Sequence, residues 1–194
     1  MNLTLPIILI SGYLIGSIPF GYLISKIWNI DIRRYGSGNI GATNVYRTLG
    51  FMIALLVFVL DLAKGTLAVY LAQRIFDAPW LVISTGLAAI LGHMYSIFLN
   101  FKGGRGVATS AGVLLGIAPD IFLGALIYTL LIILLTRYVS IASMTTPILV
   151  TAALFWLKRP LPYTLVIGLV SILILIRHLP NLKRLLTKSE PRIG

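Results

Sequence analysis

Six apolar stretches close to 20 residues long, separated by short polar runs, dominate this 194-residue chain. They run from Leu3 to Ser25, Phe51 to Leu71, Pro79 to Leu99, Pro119 to Leu135, Val139 to Leu157 and Leu161 to Ile176. A helix rises about 1.5 Å per residue, so about 20 apolar residues are needed to cross a hydrocarbon core about 30 Å thick. With 58% hydrophobic and 11% charged residues and a mean hydropathy of +0.98, the composition lies outside the soluble globular range. The expected fold is an all-α polytopic membrane protein, one domain over residues 1–194, since neither an internal repeat nor a low-complexity linker divides it. The opening stretch is long enough to span and stay, so it reads as part of the bundle rather than as a cleaved signal.

A seventh apolar stretch, Val107 to Ala118, is short for a crossing, and the distribution of charge decides how it is read. If it crosses, seven helices with the N-terminus outside put twelve cations on the cytoplasmic side: Lys26, Arg33, Arg34, Arg47, Lys102, Arg105, Arg137, Arg177, Lys183, Arg184, Lys188 and Arg192. Only Arg74, Lys158 and Arg159 then lie outside. If it does not cross, the loops divide eight against seven, with no bias toward the inside. Seven transmembrane helices, the fourth short, with a cytoplasmic C-terminus, are therefore expected. The membrane is expected to be the bacterial inner membrane, and the protein a monomer.

Cysteine is absent, which removes disulfides and thiolate chemistry. The five acids, Asp31, Asp61, Asp77, Asp120 and Glu190, are too scattered for a metal-binding carboxylate cluster, so neither a metal nor a cofactor is expected. A net charge of +11 would suit nucleic acid on a soluble fold, but here the cations punctuate apolar spans. Anionic lipids and anionic substrates are the better partners.

Two glycine-rich polar runs interrupt the apolar pattern: Gly36-Ser37-Gly38-Asn39-Ile40-Gly41-Ala42-Thr43-Asn44 and Phe101-Lys102-Gly103-Gly104-Arg105-Gly106. Glycines let backbone N–H groups approach an anion, and the cations beside them neutralise it. Gly36, Gly38 and Gly41 can take positive φ, while Thr43 or Asn44 can cap a helix that continues through Arg47. Asn44, Arg47 and Thr48 would then share one helical face. An ordinary interfacial turn is the plain alternative. The second run lacks the ending of a Walker loop. If the preceding helix continued to Lys102, His93 would sit about 13 Å deeper along it, leaving its part in any chemistry open. Asp61 and Lys64, three residues apart in a span, should pair and face the bundle interior, because each alone would cost about 3 kcal/mol at the bilayer centre. A substrate role for Lys64 competes with that ion-pair reading. At the last span, Arg177-His178-Leu179-Pro180-Asn181 exceeds what a basic membrane anchor requires, since anchoring uses neither His178 nor Asn181. Gly12, Gly16, Gly86, Ala89 and Gly92 read as helix-packing residues.

Taken in order, these elements resemble one family. The first glycine run with Arg47, Asp61 with Lys64-Gly65, Gly92-His93 through Lys102-Gly103-Gly104-Arg105-Gly106-Val107-Ala108, and Arg177-His178 with Asn181 and Arg184 resemble the bacterial acyl-phosphate:glycerol-3-phosphate acyltransferases over nearly the whole chain. Arg105 departs from the usual lysine, keeping the charge but replacing a point charge by a fork. The resemblance implies transfer of a fatty acyl group from acyl phosphate to the 1-hydroxyl of glycerol 3-phosphate, giving lysophosphatidic acid and phosphate. It makes the two substrates and membrane lipids the partners. On this reading Ser37, Asn39, the backbone of Gly36, Gly38, Gly103 and Gly104, Lys102 and Arg105 hold the donor. Asn44, Arg47, Arg177, His178 and Asn181 bind the acceptor. Ser37, His93 and His178 are the candidates for catalysis. The proton of the attacking hydroxyl goes either to a histidine or, as the resemblance favours, to the acceptor's own phosphate. All three polar islands are expected to form one cytoplasm-facing pocket.

Two other classes compete. A transporter or flippase for a phosphorylated solute would also use a basic membrane site, but would ordinarily show paired halves, which this sequence lacks. A CDP-alcohol phosphotransferase would need several membrane-proximal aspartates for its metal.

Overall fold

The computed structural model describes residues 3–193, and these fold into ten α-helices. They fall into two compact units that divide after Gly116. Five helical segments are long and apolar enough to cross a bilayer, and a sixth is so if a bent pair counts as one span.

In the first unit, the opening stretch is two helices rather than the single one expected, α1 (Thr4–Ser17) and α2 (Phe20–Ile27). Pro19 is the reason. It has no N–H to donate, and the ring disfavours helical backbone at Ile18, whose ψ is 116°. A single turn of 3-10 helix (Ile32–Arg34) and the first glycine run lead to α3 (Ala42–Leu49), and Gly50, at φ +87°, turns the chain into α4 (Phe51–Gln73). The next helix, α5, spans Pro79–Met94, and after the second glycine run comes α6 (Val107–Ile117).

Glycines set the spacing of these helices. Gly12 faces Thr85 and Ala88, Gly16 faces Ala89, and Gly92 faces Tyr13 and Ser17, so α1 and α5 lie parallel with their backbones nearly touching. A Cβ on Gly16 would overlap the Ala89 backbone. Close approach of this kind is how helices gain packing energy where lipid offers no hydrophobic drive. The short helix α6 lies along the C-terminal half of α4 and runs parallel to it. Gly65 meets Thr109, the Thr66 hydroxyl donates to the Gly112 carbonyl at 2.9 Å, and Gln73 donates to Gly116 at 3.1 Å. Its 11 residues reach about 16 Å, half of a hydrocarbon core.

The second unit contains α7 (Pro119–Thr136), α8 (Val139–Trp156), α9 (Leu161–Arg177) and α10 (Leu179–Leu186), with a 52° bend between the last two. Hydroxyls tie the spans together: Thr129 to Thr146 at 2.9 Å, Thr151 to Ser171 at 3.0 Å, and Ser171 to the Pro147 carbonyl at 2.9 Å. The chain after α10 folds back on this unit, where the Ile193 N–H donates to the Arg137 carbonyl at 2.8 Å.

Candidate active site

The first glycine run is organised by one side chain. Asn44 is 2% exposed, and its Nδ2 lies 3.2, 3.0 and 2.9 Å from the carbonyls of Ile32, Tyr35 and Asn39. Its Oδ1 accepts the Ser37 N–H at 2.8 Å. The polar atoms of Asn44 are thus engaged by the loop itself, and its contribution to a phosphate site is the shape of that loop. Gly36 and Gly38 adopt φ of +54° and +70°, but Gly41 has φ −73° and acts as the N-cap of α3. Thr43 and Asn44 therefore lie inside the helix rather than capping it. The cap position is taken two residues earlier because Asn39 Oδ1 accepts the Gly41 N–H at 2.8 Å and closes an Asx turn. Upstream, the Asp31 carboxylate accepts from Arg33 Nε at 2.9 Å and Nη2 at 2.7 Å. The Arg33 bond holds the Asp31 carboxyl well below the usual carboxylate range. This arrangement leaves Ser37 exposed at the loop tip, with Arg47 half-buried one turn along α3.

The second run is built differently from what a continuous helix would give. Helix α5 stops at Met94, and the chain reverses through Asn100 and Phe101, both with positive φ. It returns so that the Gly103 and Gly104 N–H groups donate to the carbonyls of Met94 (3.1 Å) and His93 (3.0 Å). The expected 13 Å between His93 and the loop is absent, because the loop comes to the histidine. A Cβ on Gly104 would overlap the imidazole Nε2, and one on Gly103 would overlap the His93 carbonyl, so only glycine fits at either position. Lys102 is exposed before the glycine pair, and Arg105 is half-buried after it.

Beneath this turn lie the buried ionic residues. Lys64 Nζ is 2.6 Å from Asp61 Oδ1, 2.9 Å from the Ile18 carbonyl at the α1–α2 break, and 2.9 Å from His93 Nδ1. Asp61 Oδ1 pairs with the ammonium by charge, while the Ile18 carbonyl and His93 Nδ1 lie at hydrogen-bond distance from it. His93 Nδ1 also lies 3.5 Å from Asp61 Oδ1, so the imidazole touches both members of the ion pair. Lys64 and His93 are each 3% exposed. The geometry favours the ion-pair reading of Lys64 over direct contact with substrate. It also seats the His93 ring under Gly104.

Both runs belong to the same end of the first unit. Ile32, Ile40 and Val45, around the first run, share one apolar cluster with Leu99, on the approach to the second, and with Ile24, Ala54 and Val57. Ser96 Oγ donates to the Ser17 carbonyl at 2.5 Å, and the Tyr13 hydroxyl donates to the Tyr95 carbonyl at 2.7 Å, tying that approach to α1. Sequence reasoning missed the Ile18 carbonyl as a partner for Lys64. Pro19 inside an apolar span was the signal that a carbonyl would be released there.

In the second unit, His178, 2% exposed, donates from Nδ1 to the Ile174 carbonyl at 2.8 Å. Arg177, half-buried, ends α9. Asn181 Nδ2 donates to Glu190 Oε1 at 2.7 Å, and its buried Oδ1 has no hydrogen-bond partner. Glu190, an isolated acid by sequence, also binds Arg184 Nε at 2.7 Å. Burial pushes its carboxyl up, but hydrogen bonds from Asn181 and Arg184 outweigh that and hold it below its ordinary value.

The sequence profile of the family described as "Glycerol-3-phosphate acyltransferase" matches residues 6–188. The chain belongs to the glycerol-3-phosphate acyltransferase family. Within that family, a glycerol-3-phosphate acyltransferase of Thermus thermophilus is 46% identical over 186 residues, covering 96% of this chain and 94% of its own. That of Crocosphaera subtropica is 44% identical over 200 residues, covering 97% and 93%. Two crystal structures of PlsY, an integral membrane glycerol 3-phosphate acyltransferase, are similar throughout. Its glycerol 3-phosphate form has a TM-score of 0.95 at 43% identity, covering 98% of this chain and 96% of that one. The lysophosphatidic acid form has a TM-score of 0.92 at 42% identity, with the same coverage. The all-helical architecture with five to six apolar spans is thus that of an integral membrane acyltransferase.

Proposed function

We propose that this protein transfers a fatty acyl group from acyl phosphate to the 1-hydroxyl of glycerol 3-phosphate. The observation that carries the proposal is the pair of glycine turns at one end of the first unit, each flanked by cations, in a chain of this family. Backbone N–H groups and fixed cations are suited to holding phosphate oxygens as charge shifts during acyl transfer. An acyl phosphate is already activated, so holding its leaving phosphate and the carbonyl oxygen does most of what catalysis requires. The acceptor oxygen forms the ester bond to the acyl carbon, the bond from that carbon to the phosphate oxygen breaks, and the hydroxyl proton passes to the acceptor's own phosphate.

Ser37, Asn39, Lys102 and Arg105 hold the donor in this scheme; the Gly38, Gly103 and Gly104 N–H groups, expected to join them, are instead engaged by the carbonyls of Tyr35, Met94 and His93 and shape the turns. Arg47 binds the acceptor, while Asn44 shapes the first loop; Arg177, His178 and Asn181 are further phosphate-binding candidates within the second unit. The whole chain works as a single membrane domain and as a monomer. It crosses seven times with its N-terminus outside, the short stretch from Val107 to Ala118 making the fourth crossing. The cation distribution supports a site facing the cytoplasm of a bacterial inner membrane. Reconstitution with glycerol 3-phosphate, offering acyl phosphate, acyl-CoA and acyl carrier protein separately, tests the reading. Lysophosphatidic acid should form with acyl phosphate alone, and product with either other donor would overturn the donor assignment.

A further inference from the structure

Asp61, Lys64 and His93 are buried together, and a bare ion pair between Asp61 and Lys64 would not need the histidine. What the histidine adds is contact with the second glycine turn on two sides. Its carbonyl accepts the Gly104 N–H at 3.0 Å, and its ring is the surface against which Gly104 is seated. The ring's other nitrogen, Nδ1, is held by the ammonium 2.9 Å away, and that ammonium is anchored to Asp61 on α4 and to the Ile18 carbonyl at the α1–α2 break. Three helices therefore fix the ring, and the ring fixes the turn. We propose that Asp61, Lys64 and His93 form a buried strut that sets the position of the Gly103–Gly104 turn, and with it the hold of Lys102 and Arg105 on the donor phosphate. The histidine is a positioning residue and takes no proton from substrate. The substrate half of the inference rests on the acyltransferase reading above; the strut itself does not.

The test compares His93→Leu, His93→Asn and the charge-neutral pair Asp61→Asn with Lys64→Met in nanodiscs. His93→Leu keeps apolar volume but offers no acceptor to the ammonium. His93→Asn can place an amide oxygen near the Nδ1 position. The neutral pair removes the ammonium without leaving a buried charge behind. A loop displaced by a fraction of an ångström should raise KM for acyl phosphate about tenfold in His93→Leu and in the neutral pair, with kcat and KM for glycerol 3-phosphate moving far less. The asparagine variant should recover most of the donor KM. Adding His93→Leu to the neutral pair should change nothing further, because both act through one element. Amide exchange at Gly103 and Gly104, read without substrate, should accelerate in the same variants and return in His93→Asn. The strut is overturned if those amides exchange as in the parent, or if His93→Leu lowers kcat while leaving donor KM unmoved. Because exchange is read in the protein alone, loss of the acyltransferase reading and loss of the strut show up separately.

Discussion

Removing the Asn44 side chain should open the first glycine loop without unfolding the protein. Two N–H groups on Nδ2 serve three carbonyls, and Oδ1 serves the Ser37 N–H, so the amide sustains about three hydrogen bonds' worth of loop structure. Each buried bond contributes about 1 kcal/mol net, and about 3 kcal/mol corresponds to roughly a hundredfold larger open population at 1.4 kcal/mol per decade. In Asn44→Ala, amides across residues 32–44 should therefore exchange about a hundredfold faster, while the thermal midpoint moves little, because the opening is local. Asn44→Asp should be worse, since it turns a carboxylate oxygen toward three carbonyl oxygens at the same volume. Activity should fall in both through a weaker hold on phosphate. Exchange is measured by mass spectrometry on the ligand-free protein, which separates loop shape from ligand contact. Unchanged exchange in Asn44→Ala alongside lost activity would mean that Asn44 binds substrate directly and that the reasoning from its four partners is wrong.

The Glu190 carboxyl is held below its ordinary value of 4.5 in the folded state, so the stability it contributes is present above that value and is lost as pH falls through the folded one. Thermal unfolding followed from pH 7 down to about 3 should show a steeper acid decline in the parent than in Glu190→Gln, and parallel curves would refute the pairing. Gly16→Leu forces α1 and α5 apart at Ala89 and should destabilise the protein by roughly 1–3 kcal/mol or more, read as a lower thermal midpoint in detergent. Lys102 is exposed beside the second turn, so Lys102→Met should weaken donor binding and flatten its salt dependence, with stability unchanged.

Much of the architecture was legible because lipid simplifies the rules. The expected span from Phe51 to Leu71 is the helix Phe51–Gln73, and Val139 to Leu157 is Val139–Trp156, since length and hydropathy suffice where the backbone must satisfy itself. The Asp61–Lys64 pair followed from the cost of either charge alone. What was not legible depended on where the chain turns back. Hydropathy carries an apolar helix through Tyr95 to Leu99, whereas the positive φ at Asn100 and Phe101 lets the chain return to His93. That reversal, invisible to periodicity, converts a distant histidine into the seat of a loop. Asn44 shows the same limit, because residue type alone does not distinguish an amide that binds phosphate from one that binds its own backbone.

The fate of the proton gives the sharpest test of the chemistry. Four of the five acids lie in ion pairs: Asp31 with Arg33, Asp61 with Lys64, Asp120 with Arg159 and Glu190 with Arg184. These carboxylates serve the architecture, and an acid placed beside two phosphates would in any case oppose their binding. His93 is held by Lys64 and seats Gly104, so the two proton acceptors to be told apart are the acceptor's phosphate and His178, itself 2% exposed. A phosphate monoester has a second pKa near 6 and can accept a proton at neutral pH, whereas a sulfate ester cannot. Glycerol 3-sulfate should therefore occupy the acceptor site with reduced affinity, because it carries less charge, but its turnover at saturation should fall by about two orders of magnitude or more, the usual contribution of a positioned proton acceptor. If saturating glycerol 3-sulfate is acylated at a rate close to that of the phosphate, the acceptor does not supply its own base. In that case His178→Gln should abolish the reaction with both acceptors, whereas a substrate-borne base predicts that it mainly raises the acceptor KM.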